Sequence, residues 1–281
     1  RTSQDIVYDQ IVSDLQFSEA AGLPSTDATG RVSLAAVKSL LAKVYLTMAG
    51  HPLNITEHYA NAATKAQEVM NLSPSIGLFD TYGEIYLEGN ENTVEHIFSV
   101  QYAPNFNANF ESLSFLPAKN ITKGGATGWQ TNLPETNFYN SFESGDLRKV
   151  NRQGWFYTDY FTGGNGALTD LGGPHVFKAF NVANFGSDIT AGNGLGDFLN
   201  FSVIRFAEVL LIYAEASNEV SGPTTAAIDA IKKLRDRAGL TTTTSLSKDL
   251  FRELIWKERW HELCYERVTW FDMVRLRKVF N

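Results

Sequence analysis

The chain has 281 residues, 43% hydrophobic and 20% charged, which is ample for a sizeable core and ordinary for a globular protein. Its 24 Lys and Arg against 31 Asp and Glu leave a net charge of −7, with no basic stripe to gather phosphates, which excludes a nucleic-acid binder. One cysteine, Cys264, excludes an internal disulfide and a cysteine-based zinc site, and no stretch approaches the roughly 18 apolar residues of a membrane span.

In chain order, Ile6, Val7, Ile11, Leu15 and Phe17 recur at roughly helical spacing over residues 3–21, and Gly22 and Pro24 stop that helix. Ser33 can cap the next one, whose face is Leu34, Val37, Leu41, Val44, Tyr45 and Met48. Small residues there (Ala35, Ala36, Ala42, Ala49) allow a second helix, 57–72, to approach closely through Ala62, Ala63, Ala66 and Val69. Comparable pairs are predicted over 202–239, with Gly239 at the C′ position, and over 247–280, with Ser247 as cap. Three helical hairpins of this length match tetratricopeptide-like units, although the full repeat consensus is absent.

Between them lies an insertion, about 74–200, of another character: 14 of the 22 glycines fall between 124 and 196. Glu95–Tyr102 alternates like a short strand, residues 134–144 suggest a helix begun by Pro134, and 155–161 and 175–180 read as strands or ordered turns. The density of aromatic side chains argues against disorder, so the insertion is expected to fold onto the helices. The predicted fold is mostly α: one domain over 1–281, with a loop-rich insertion carrying short strands.

Candidate chemistry is sparse. Glu258 and His261 have the spacing of di-iron helices, but no second copy exists. Glu258, Glu262 and Glu266 recur at i+4 among Arg252, Arg259 and Arg267, which reads as an ion-pair ladder rather than an acid and base pair. Arg205 and Glu208 read as a helix-surface or inter-helix pair, worth little if exposed. The runs Gly163–Gly166 and Gly192–Gly196 lack phosphate-loop context and read as loops. No catalytic residue, metal site or cofactor is expected. The aromatic loops are different, because flat rings suit the apolar face of a sugar and nearby polar groups suit its hydroxyls. Trp129, beside Gln130 and Asn132, and Trp155, Tyr157 and Tyr160, beside Arg152 and Asp159, fit that need. A helical-repeat scaffold that binds peptide or protein is the alternative.

The string WKERWHELCYERVTWFDMVR (256–275) closely resembles the carboxy-terminal signature of the RagB/SusD family. FSVIRFAEVLLIYAEASNEV (201–220) with AIKKLRDRAGL (230–240) resembles the signature before it, in the same order and at similar spacing. GRVSLAAVKSLLAKVYLTMAG (30–50) resembles the family's first core repeat. The resemblance implies a nutrient-binding outer-membrane lipoprotein facing the medium, which captures glycan for a SusC-like TonB-dependent transporter and is not an enzyme. It covers the middle and carboxy-terminal portion of such a protein. With Arg1 first and no signal peptide, the chain is read as a piece of a longer parent whose secretion signal and lipidated cysteine lie upstream.

Overall fold

A computed structural model describes residues 2–72, 74–103, 109, 111–117, 128–161, 168–179 and 198–279. It is mostly helical. Helix α1 (Gln4–Glu19) lies on α2 (Leu34–Ala49), and α3 (His58–Met70) packs between α2 and α6 (Phe206–Ser221). Helices α7 (Thr225–Arg237) and α8 (Lys248–Leu263) close on the other side of α6. Hairpins far apart in sequence therefore stack in space, and α6 is their common axis. Its residues are buried all round from Phe206 to Asn218, as a helix gripped on every side must be.

The caps follow the sequence. Ser33 Oγ accepts from the Ala36 N–H and Ser247 Oγ from the Leu250 N–H, each at 3.3 Å, and each satisfies an orphan amide of a first turn. Gly239 ends α7 with φ +72°, a left-handed residue after the helix. Close packing of α3 relies on Ala62 and Ala66, which have no exposed surface.

Several expectations need correction. First, Ile6, Val7, Ile11 and Phe17 of α1 are exposed; Tyr8, Val12 and Leu15 are the stripe that touches the core. Second, the helix expected from residue 202 starts at Phe206. Residues Phe201–Arg205 form β4, antiparallel to β1 (His96–Val100), so Val203 and Ile204 sit on a strand. This pairing zips the two ends of the insertion together. Third, the last pair is a long α8 followed by a short α9 (Thr269–Arg275). Charges hold α9: Asp272 and Arg275 are buried, while Trp270, Phe271 and Val274 face outward. Arg259 reaches Asp272 at 2.6 Å and Arg275 reaches Glu215 at 2.5 Å.

The insertion also carries α4 (Glu111–Phe115), α5 (Thr136–Asn140) and a hairpin of β2 (Phe156–Phe161) with β3 (Leu168–Val176). Glu135 rather than Pro134 starts α5, its carboxylate accepting from the Phe138 N–H at 2.7 Å. The two glycine runs lie outside the described residues.

Two apolar clusters underlie the insertion. One joins Phe115, Leu116, Tyr157, Tyr160, Val176 and Phe177; the other gathers Phe79, Tyr82, Phe142, Trp155 and Phe156 beneath Cys264. Between the second cluster and α8 runs a layer of buried ion pairs. Glu262 accepts from Arg237 at 2.7 Å and Arg205 at 2.8 Å; Glu258 accepts from Arg148 at 2.5 Å; Glu266 accepts from Lys178 at 2.5 Å. Glu258 and Glu262 lie on α8 and Glu266 in the turn beyond it, and none of the three pairs with Arg252, Arg259 or Arg267 as the ladder expected. Arg148 and Lys178 of the insertion, Arg205 of β4 and Arg235 and Arg237 of α7 meet them, whereas Arg259 points the other way to Glu208. Arg205 and Glu208 are likewise both buried, with separate partners, and are not the exposed pair their spacing suggests.

Candidate ligand-binding cleft

The loop after α8 turns sharply. Cys264 ends the helix, and Tyr265 and Arg267 take left-handed backbone, at φ +63° and +62°. Side chains with a Cβ adopt that region at a cost, so the packing around this loop must impose it. The turn throws Tyr265 and Arg267 to one side and starts α9 with Thr269 and Trp270. Facing them are α4 and the strand-like segment 129–132, joined by bonds from the Gln130 N–H to the Leu116 carbonyl and from the Thr131 and Asn132 N–H groups to the Ser114 carbonyl, at 3.0–3.1 Å. Gly128 allows that junction: a Cβ there would lie 2.3 Å from the Pro117 carbonyl oxygen.

The result is an open cleft of about 560 Å³, within the roughly 300–1,000 Å³ of ligand pockets. Trp260, Tyr265, Trp270 and Phe138 supply rings, and Ser114, Asn132 and Thr269 supply hydroxyl and amide groups. Trp270 is 61% exposed, so a ring face is open to solvent. Tyr265 stands edge-on to Phe115 at 6.2 Å and to Phe138 at 6.3 Å, which fixes its plane. Glu111 and Arg267 pair across the rim, Nη2 to Oε2 at 2.5 Å, and burial pushes the Glu111 carboxyl up despite the arginine beside it.

Of the residues singled out by sequence, the structure divides the group. Trp129 is 53% exposed, on the segment that reaches the cleft wall at Asn132. Arg152 and Asp159 form a half-buried pair, 3.7 Å apart, before and within β2. Trp155, Tyr157 and Tyr160 must be corrected: they are buried and offer no face to a sugar. The Trp155 indole donates to the His261 carbonyl at 3.0 Å and its ring lies 4.0 Å from the Lys178 ammonium, so it covers the ion-pair layer. The Tyr157 hydroxyl donates to the Phe115 carbonyl at 2.6 Å, and so anchors the α4 wall from behind.

Missed by the sequence reading are Tyr265, Arg267, Glu111 and the exposed Trp270. Spacing gave no signal for the last, because the buried positions of α9 are the charged Asp272 and Arg275, while Trp270 and Phe271 are both exposed.

The charged groups nearby bear on chemistry. Burial alone would raise the Glu262 carboxyl, but Arg237, Arg205, Arg148 and Lys178 outweigh it and hold it down to about 2. Burial, reinforced by Arg148 and Lys257, brings the His261 imidazole down to about 3; its Nε2 meets Ser141 Oγ at 2.9 Å and its ring stacks on Phe142, away from Glu258. Burial pushes the Cys264 thiol up to about 11, unsuited to a nucleophile. Among the described lining residues the cleft holds one carboxylate, Glu111, where glycoside hydrolysis uses two flanking the bond. Its contents suit binding.

A family model described as the SusD family matches residues 48–280. Among curated relatives, SusD-like protein P2 of Formosa agariphila is 27% identical over 99% of this chain and 57% of its own length. A solved SusD superfamily protein from Parabacteroides distasonis is 37% identical with a TM-score of 0.90, over 99% of this chain and 59% of that one. A solved structure with xylogluco-oligosaccharide matches in fold, with a TM-score of 0.78 and 22% identity over 99% of this chain and 58% of that one. The chain therefore spans less than three-fifths of the length of these relatives.

Proposed function

The chain belongs to the SusD family, and from that premise we propose that residues 1–281 are one SusD-like unit of a longer glycan-binding protein. The cleft between α4, segment 129–132 and the α8–α9 turn is its capture surface. In this reading the parent is tethered by a lipid anchor to the outer membrane, facing the medium, and passes oligosaccharide to a SusC-like TonB-dependent transporter. The mechanism is affinity without chemistry: Trp270 and Tyr265 stack on the C–H faces of sugar rings, and Ser114, Asn132 and Thr269 meet hydroxyls. Trp129 and the Arg152–Asp159 pair are proposed as outer contacts.

The observation that carries this reading is the open cleft with exposed rings and few polar groups. The structure solved with xylogluco-oligosaccharide supports the ligand class, since it shares the fold. The test is titration calorimetry of the chain against a panel of plant and microbial oligosaccharides. Binding that Trp270→Ala weakens at least tenfold, about 1.4 kcal/mol, is expected. A panel without a binder would overturn the reading, and peptide uptake that no sugar displaces would favour a scaffold that holds protein.

A further inference from the structure

We propose that the cleft is one half of a longer site, and that a second hollow beyond Arg267 holds the next stretch of the same glycan chain. This rests on the glycan-binding reading and adds the form of the ligand: an extended oligosaccharide that straddles the α8–α9 turn.

That turn is a shared wall. Tyr265 and Thr269 line the cleft, Glu266 and Val268 line a hollow of about 320 Å³, and Arg267 lines both. The hollow lies between α1, α2, β4 and α9, with Tyr8, Phe201 and Phe271 as its rings. The Arg267 side chain is 69% exposed and touches both compartments. Its guanidinium meets Glu111 of the cleft at 2.5 Å and lies 4.8 Å from the centre of the Phe201 ring in the hollow.

Successive helical residues diverge by about 100°, and α9 turns one ring to each side. Trp270 lines the cleft and Phe271 the hollow, 61% and 69% exposed. Neither ring seats the helix, which Asp272 and Arg275 hold.

The hollow also has a polar demand. Arg259, 2% exposed, gives Nε to Asp272 at 2.6 Å and Nη2 to Glu208 at 2.8 Å, while its Nη1 has no hydrogen-bond partner among the described residues. Other ionic groups of the lining are paired: Lys43 with Glu208, Arg275 with Glu215 and Glu266 with Arg205. What the lining lacks is a neutral acceptor beside open rings, and a sugar offers a hydroxyl and a C–H face together. One chain that fills both compartments enters the second as an intramolecular event, so affinity climbs with length.

The experiment titrates the full chain with di-, tetra- and hexasaccharides of the cello, xylo, manno, malto and galacturono series. In a series that binds, the hexasaccharide is expected to bind about tenfold more tightly than the disaccharide, the scale of one further stacked ring. Phe271→Ala should bring the hexasaccharide back to the disaccharide affinity, whereas Trp270→Ala should weaken every length. Affinity independent of length, or a gain that Phe271→Ala leaves intact, overturns the second compartment while glycan binding stands. A dimer in sedimentation that Phe271→Ala dissolves would give the hollow to a second copy of the chain, and overturns it equally. If no series binds, the glycan reading falls and this inference falls with it.

Discussion

Two regions flank the carboxy-terminal end of α8 and use the same kinds of side chain to opposite ends. On one flank, Trp155 lies buried over a layer of Glu262, Arg205, Arg237 and Lys178, with its ring, its N–H and the charges beneath it all engaged. On the other, Trp270 stands 61% exposed beside a cleft whose described polar groups are few and uncharged apart from one pair. An aromatic residue beside charges is therefore no sign of a ligand site in itself. What separates the two flanks is whether the ring is sealed against engaged charges or left open to solvent.

The largest effect expected from breaking the contrast comes from the closed side. Glu262→Ala leaves Arg205 and Arg237 short of an anion in a buried layer, and removing one partner of a buried pair costs about 3–5 kcal/mol. Thermal or urea unfolding should show that loss; a change under about 1 kcal/mol would mean that the layer is not the clamp described here. Trp155→Ala comes next, at about 3–5 kcal/mol for a large emptied site, with glycan affinity per folded molecule unchanged. Trp270→Ala reverses the pattern: stability within about 0.5 kcal/mol of wild type, and affinity lost. If both tryptophan variants lost stability equally, the distinction between the two flanks would dissolve.

Acid sharpens the same contrast. The folded pKa of His261 is depressed to about 3 from an ordinary 6.5, so between those values the unfolded chain binds the extra proton. Glu262 is depressed to about 2 from 4.5 and behaves alike at lower pH. Both contributions are therefore present at neutral pH, and are lost as pH falls, first through the histidine window and then through the carboxylate window. Unfolding free energy measured against pH should decline from about 6.5 downward. Replacing His261→Gln should flatten the decline between about 6.5 and 4.5 and leave the lower part intact; an unchanged slope there would remove His261 from the account.

How far the sequence reveals these two flanks depends on the range of the contacts. Local features are legible: the α2–α3 pair, the caps Ser33 and Ser247, and the alternation of His96–Val100 all follow from spacing within a few residues. Features set by distant partners are not. Residues 201–205 read as the start of a helix because the helix follows at once; pairing with β1, a hundred residues upstream, makes them a strand. The spacing of Glu258, Glu262 and Glu266 suggests one helix face, but it cannot say that the helix ends before Glu266 or that Arg148, Arg205 and Arg237 come to meet these carboxylates. The same limit hid the site. Trp129, Trp155 and Trp270 look alike in composition, and tertiary packing alone decides which of them is buried.

The smallest effect tests whether burial or geometry gives the ion-pair layer its weight. Lys232 and Asp236 on α7 approach to 2.5 Å, the same separation as Arg148 and Glu258, but their side chains are 50% and 53% exposed. Water already solvates both charges, salt screens them, and holding two long side chains together costs entropy. The order is also the less favourable one, with the cation on the amino-terminal side of the anion and so against the helix dipole. Lys232→Ala should therefore change stability by no more than about 0.5 kcal/mol, and Ala is the better helix former, which offsets part of that loss. The corresponding change at the buried pair, Arg148→Ala, should cost several times more at equal distance. Equal losses would assign the strength of the layer to short contacts alone, and the contrast between the sealed flank and the open one would then need a cause other than solvent.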